Sequence, residues 1–177
     1  MDVHLINLRK FVSAALFLSF CCVYHAQANL YITEVMSNNE NGLKDEDGDR
    51  PDWLEIYNAA DTPVNLDGWW LTDKVTQPTQ WRFPAVILPS KSNILVWASS
   101  KNRALTNAPL HTSFNLSANG EYIGLFRPDP TNGLPLLVTG YSFPALPADV
   151  SYGYSFIQYT TISRRSPRLV NPFSKAR

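Results

Sequence analysis

The sequence predicts an all-β chain folded as a β-sandwich, and three observations carry that expectation. Short segments in which apolar side chains alternate with a period of two recur along the chain, most clearly DWLEIYN (52–58) and SNILVWAS (92–99). That is the signature of a strand packed on one face. Turn chemistry separates the segments, at Asp67-Gly68, at Asn119-Gly120 and across Pro128-Asp129-Pro130-Thr131-Asn132-Gly133. The chain is 12% aromatic with 13 prolines, and nothing after Asn29 keeps a helical period. Such a composition favours strands joined by turns. Roughly seven to nine short strands at this spacing need a second layer to cover their apolar faces, which favours a sandwich.

The first residues are set aside from the fold. Arg9 and Lys10 end a short basic region, Phe11–Val23 is mostly apolar, and Ala26-Gln27-Ala28 has the small-x-small pattern of a signal-peptidase site. Cleavage is expected before Asn29, making 1–28 a signal peptide and the protein exported: secreted, periplasmic or on the cell surface. The apolar run is shorter than the roughly 20 residues of a spanning helix, so no stable membrane span is expected after removal. Bulky Phe20 before Cys21 disfavours a lipoprotein. Residues 29–177 suffice for one domain that buries about two thirds of its unfolded surface.

Cys21 and Cys22 leave with the signal, so a disulfide scaffold, thiol catalysis and cysteine-based zinc sites are excluded. Arg9, Lys10 and Asp2 leave too, and with 15 basic and 15 acidic residues overall the remainder stays near neutral. A nucleic-acid partner, which wants a basic stripe, is not expected.

In chain order, NLYITEVM (29–36) reads as a first strand with Leu30, Ile32 and Glu34 on one face and Tyr31, Thr33 and Val35 on the other. Ser37–Pro51 is a long polar loop of alternating acids, and long loops of this kind are mobile or ligated. Asp45, Asp47 and Asp49 resemble the start of a calcium loop, yet Arg50 stands where the glycine belongs and Ile56 where the closing glutamate belongs. The alternatives are an irregular calcium site drawn from Asp45, Asp47, Asp49 and Asp52, or a solvated acidic turn. In 52–58, Trp53, Glu55 and Tyr57 oppose Leu54 and Ile56. Trp69 and Leu71 share a side that Trp70 does not; Trp81 and Phe83 share a side that Arg82 does not. In 92–99, Ile94, Val96 and Ala98 oppose Leu95 and Trp97. Asn119-Gly120 signals a hairpin into a strand where Tyr122, Gly124 and Phe126 alternate with Ile123 and Leu125. A further strand is expected over 134–143. After Ser163 the chain turns basic, through Arg164, Arg165, Arg168, Lys175 and Arg177. That is a solvated tail, or a patch attracted to an acidic surface polymer or anionic lipid.

Catalytic chemistry is thin. His111 is the one imidazole after residue 28, Thr112 and Ser113 read as turn-satisfying hydroxyls, and no nucleophile elbow is present. Paired carboxylates from Glu34, Asp52 and Glu55 are the better enzyme case. Tryptophan surplus offers another lead: Trp70 and Trp81 are candidate contact residues, because the ring joins apolar area to a polar handle.

Ile32-Thr33-Glu34-Val35, then Asp52-Trp53-Leu54-Glu55-Ile56-Tyr57-Asn58, then Val64-Asn65-Leu66-Asp67-Gly68-Trp69-Trp70-Leu71-Thr72-Asp73 and Phe83-Pro84 resemble the lamin-tail domain family. The strand at 92–98, Leu116–Glu121 and Ser151-Tyr152-Gly153 fit its later part, while Tyr154 and Ser166-Pro167-Arg168 depart from it. The resemblance implies an immunoglobulin-like β-sandwich over 29–156, with 157–177 a basic C-terminal tail. It supplies no catalytic residues and implies protein contact or surface attachment. The expected function is a non-catalytic exported binding or scaffolding domain for an unidentified protein or surface polymer. Its candidate contacts are Trp70, Trp81, Arg164, Arg165 and Arg168, and calcium is the one cofactor considered. The alternative is a carboxylate-dependent hydrolase of an extracellular glycan.

Overall fold

The computed structural model describes residues 29–153 and 168–170. Among these there is no helix. The strands are β1 (Leu30–Met36), β2 (Asp52–Asn58), β3 (Val64–Asn65), β4 (Trp70–Thr72), β5 (Trp81–Arg82), β6 (Ile87–Leu88), β7 (Asn93–Ala98), β8 (Leu110–His111), β9 (Gly120–Pro128), β10 (Pro135–Pro144), β11 (Ser151–Gly153) and β12 (Arg168–Val170). They form a six-stranded sheet in the order β12-β11-β1-β2-β7-β8, a four-stranded sheet in the order β10-β9-β4-β5, and the small pair β3-β6. Pairing is antiparallel except between β7 and β8. This is the expected all-β, immunoglobulin-like sandwich. The shortest strands escaped a pattern that needs several alternations to register.

The two sheets enclose one core. Leu54, Ile56 and Val96 of the large sheet and Leu71, Ile123 and Leu125 of the small one are fully buried in it. The predicted facing of β2 and β7 holds, with Ile94, Val96 and Ala98 on the core side. Trp69 and Leu71 also face the core, and Trp81 packs edge-on against Phe83 there.

β1 corrects one expectation. Its register with β2 shifts between Ile32 and Glu34, so that Ile32 pairs with Ile56, Glu34 with Glu55 and Val35 with Leu54. The bulge inserts one residue and turns the later side chains over. Val35 therefore joins Leu30 and Ile32 in the core, and Glu34 faces outward. Gly153 of β11 lies opposite the bulge, and a Cβ there would collide with the Thr33 carbonyl. Gly153→Ala is expected to force β11 from β1 and destabilise the domain by about 1–3 kcal/mol, the usual cost of overpacking; a urea melt within experimental error of wild type would show that the backbone yields freely.

Asn119-Gly120 also reads differently in space. Gly120 (φ +84°) opens β9 and donates its N–H to the Ser117 carbonyl, but the β9–β10 hairpin closes at the other end, through Asp129–Leu134. The turn is real; the strand expected before it is not formed.

Candidate functional site

The outward face of the six-stranded sheet is not a wet surface. Met36, Trp53 and Trp97 sit side by side on neighbouring strands there and are 0%, 3% and 7% exposed, with Leu95 packed against them. His111, paired with Trp97 in the parallel β7–β8 ladder, extends the row; the rings stack at 6.3 Å. What covers this row is the acidic loop, which returns over the face after β1. Asn39 braces it by donating its side-chain amide to the Leu43 and Pro51 carbonyls, both at 2.8 Å. Asp45 Oδ1 accepts the backbone N–H groups of Asp47 and Asp49 at 3.0 Å, closing a tight acidic turn.

The loop's charges are met by side chains from beyond β7. Lys101 Nζ lies 2.5, 2.6 and 2.8 Å from carboxylate oxygens of Asp45, Asp47 and Asp49. Arg103 spans Glu46 at 2.9 Å and Asp47 at 2.7 Å. His111, 0% exposed, places Nε2 2.9 Å from Glu46 Oε1 and Nδ1 2.8 Å from Ser99 Oγ. Burial pushes the Asp45 carboxyl up, but Lys101 and the loop N–H groups outweigh it and leave it below the usual range. Glu46 is likewise pushed up by burial and brought below its ordinary value by backbone N–H donation, His111 and Arg103. Arg103 and then Lys101 hold Asp47 at about 2. The same bonds raise Lys101 against the opposing effect of burial.

The loop is therefore tied down by ion pairs, and the carboxylates of Asp45, Asp47 and Asp49, with oxygens within 4.8 Å of one another, converge on the Lys101 ammonium. Asp52 is not in that group. It lies on the other side of β2, where its carboxylate accepts the Asn39 N–H at 3.4 Å. Burial raises it to about 6, against N–H donation from Asn39 and Leu116. With a folded value above the unfolded one, Asp52 favours the folded state while protonated, and that contribution is lost as pH rises from about 4 through 6. Asp45, Glu46 and Asp47 act oppositely, stabilising above about 4 and losing their effect as pH falls toward 2. Asp52→Asn is expected to lessen the decline above pH 4, by up to roughly 1–2 kcal/mol after solvent screening, leaving the smaller share of Glu55 and Glu121, which burial also raises, and the acid limb intact; urea midpoints measured from pH 3 to 8 check this.

The three carboxylates of the hydrolase reading do not converge. Glu34 and Glu55 are cross-strand partners on the outward face, with Glu34 accepting a bond from Ser151 Oγ and Glu55 from Asn93 at 3.1 Å. Asp52 points to the opposite face. Arg82, a suggested partner for Glu55, pairs with Asp67 at 3.3 Å.

On the four-stranded sheet, register places Leu137, Phe126, Trp70 and Arg82 in one row across β10, β9, β4 and β5. The row faces outward, because the neighbouring pair Leu71–Leu125 faces the core. Trp70 is half-buried and Leu137 is 52% exposed. Beside the row, the Tyr122 ring lies against Gly124 and Gly140, where Cβ atoms would leave it no room. β10 is an edge strand of its sheet; Leu136, next to Leu137, points to the opposite side of it, and Leu134 lies in the turn before it.

Of the sequence-predicted contacts, Trp70 is on this face. Trp81 is 2% exposed and belongs to the core, which removes it as a contact residue; its alternation with Arg82 was legible, and the side of the sheet it faced was not. Arg168 begins β12, pairing with Gly153 of β11, so part of the expected tail adds a strand to the large sheet. Arg164, Arg165 and the expected signal peptide at 1–28 lie outside the described residues. Sequence reasoning missed Lys101, Arg103, Ser99 and Glu46. The available signal was the basic Lys101-Asn102-Arg103 run just past the β7 strand, a natural match for the acidic run just before β2, which pairs with β7.

An immunoglobulin-like sandwich with this strand sequence defines the class. The family model described as Lamin Tail Domain matches residues 24–141, and the chain belongs to that family. The family is immunoglobulin-like and generally non-catalytic, compatible with binding or scaffolding. No curated protein matches the chain, and no solved structure does. Among the described residues no helix is long and apolar enough to cross a membrane.

Proposed function

We propose that the chain is an exported binding domain that holds a protein partner on the outward face of its four-stranded sheet. The observation that carries this reading is the cross-strand row of Leu137, Phe126, Trp70 and Arg82, with Leu137 exposed at its end. Contact surfaces favour an aromatic–aliphatic centre with a guanidinium at its margin, and tryptophan and arginine dominate their energetics. Export rests on the 1–28 leader pattern.

The test uses the tagged full chain in its own cell. Protein recovered outside the cytoplasm should begin at Asn29, and a cross-linkable group at Leu137 should join it to one protein species. Trp70→Ala and Leu137→Asp should abolish that product while leaving the melting curve within a few degrees of wild type. Recovery of the uncleaved chain inside the cell would overturn export. Unchanged cross-linking in both variants would move the contact to another face.

A further inference from the structure

We propose that Ser99, His111 and Glu46 form a nucleophilic site that transfers the acyl group of short-chain carboxylic esters to water. The three side chains make one continuous relay: Ser99 Oγ lies 2.8 Å from His111 Nδ1, and His111 Nε2 lies 2.9 and 3.1 Å from the two carboxylate oxygens of Glu46. A nucleophile bonded to a base, and a base oriented by a carboxylate, is the arrangement that activates a serine hydroxyl. Here the two imidazole nitrogens exchange their customary roles. The exchange is chemically neutral, because the nitrogen that carries the proton is set by the bond the other makes. Glu46 is a carboxylate and can only accept, so Nε2 carries the hydrogen. The Nδ1 lone pair is then left to receive the proton of Ser99.

The surroundings hold that tautomer firmly. Arg103 bonds the same Glu46 oxygen at 2.9 Å, the His111 N–H is tied to the Arg103 carbonyl at 2.9 Å, and the Trp97 ring stacks on the imidazole. A merely structural histidine needs partners on both nitrogens and nothing more. This one connects the Glu46 carboxylate to a serine at the edge of an open cleft. Ser99 lines an open cleft of about 510 Å³ with Arg50, Pro51, Asp52, Asn115 and Leu116. Beyond Ser99 the backbone enters the left-handed region at Ser100 (φ 59°) and Asn102 (φ 51°), conformations costly for residues other than glycine and concentrated at functional sites. The bend brings the Lys101 N–H to 3.3 Å from Ser99 Oγ, where it donates to the serine oxygen itself. Pro51 and Leu116 give the cleft a small apolar wall, which suits an acyl chain of a few carbons.

In the first step Ser99 Oγ bonds to the ester carbonyl carbon and its proton passes to Nδ1. The bond from that carbon to the alkoxy oxygen then breaks, and the leaving alcohol takes the proton from Nδ1. In the second, water attacks the acyl-serine, giving its proton to Nδ1; the serine oxygen leaves with that proton, and a carboxylic acid is released. No oxidant or further reactant is needed. His111 and Ser99 are the catalytic residues, and Glu46 is a positioning residue.

The experiment treats the purified protein with an alkyl fluorophosphonate and locates the adduct by peptide mass spectrometry, with p-nitrophenyl acetate turnover measured in parallel. One adduct per chain on Ser99 is expected, absent from Ser99→Ala together with the acetate turnover. Glu46→Gln should slow labelling by about 10²-fold or more in protein that remains folded by its melting curve, the scale of a lost general-base alignment. Labelling of Ser113 and Ser117 at the same rate as Ser99, or none at all, would overturn the proposal. So would a folded Glu46→Gln variant that labels like wild type. If that variant does not fold, the wild-type adduct and its loss in Ser99→Ala decide alone. Because the proposal uses the opposite sheet from the contact row, loss of the Ser99 adduct and loss of the Leu137 cross-link are independent readouts, which separates its failure from failure of the binding reading.

Discussion

Trp53→Ala is expected to cost about 3–5 kcal/mol, as large as removing an aromatic ring from the interior, although Trp53 points away from the space between the sheets. Its side chain is 3% exposed among Met36, Trp97 and Leu95, beneath the acidic loop. Two losses add. Truncation leaves a cavity that Met36 and Trp97 cannot fill, and it removes the apolar floor on which the loop is laid. Urea unfolding should give the full loss, and hydrogen exchange should find the loop's amides, above all those of Asp47 and Asp49, losing protection before those of β2. A loss under about 1 kcal/mol would mean that the outer cluster is a surface patch with a loose cover.

Leu54→Ala should cost about 2–5 kcal/mol for the complementary reason. Leu54 is fully buried between Val35 and Val96, its cross-strand neighbours in β1 and β7. Three strands of the large sheet therefore meet the cavity at once, and none can collapse into it without shifting a ladder. The loss should appear as a lower midpoint with an unchanged slope in urea, since cooperativity is retained. An effect below half a kcal/mol would mean that β2 packs with its faces reversed. Leu137→Ala, on the exposed row, is the matched control and should fall within about 0.5 kcal/mol of wild type.

Much of this was legible in the sequence. Alternation assigned the faces of β2 and β7, separated Trp69 from Trp70, and set Trp81 beside Phe83, because a period of two survives wherever a strand is regular. It failed where a strand is not. The bulge at Thr33 exchanged the faces of Glu34 and Val35, and bulges leave no mark on apolar spacing. It failed also where both faces are covered: Trp53 and Trp97 sit at positions that alternation assigns to solvent, and a returning loop buries them. The acidic run gave a choice between metal and water, and the structure adds Lys101 and Arg103. Ser99 and Glu46 were invisible as partners of His111, since one precedes it by 12 positions and the other by 65. Only the parallel β7–β8 pairing and the fold of the loop bring them together.

The distance along the chain between the acids and their counter-charges also sets an order of events. Asp45, Asp47 and Asp49 are synthesised 52 to 56 positions before Lys101, and Glu46 57 positions before Arg103. While β1 and β2 are already pairing through local contacts, the loop carries unneutralised negative charge and repels itself. It can settle over Met36 and Trp53 only after β7 has delivered Trp97 and the chain beyond it has arrived. Non-local closure of this kind is slow. The clasp is thus the last latch to shut, and refolding should proceed in two stages whose second alone depends on salt, which screens both the loop's self-repulsion and its attraction to Lys101 and Arg103.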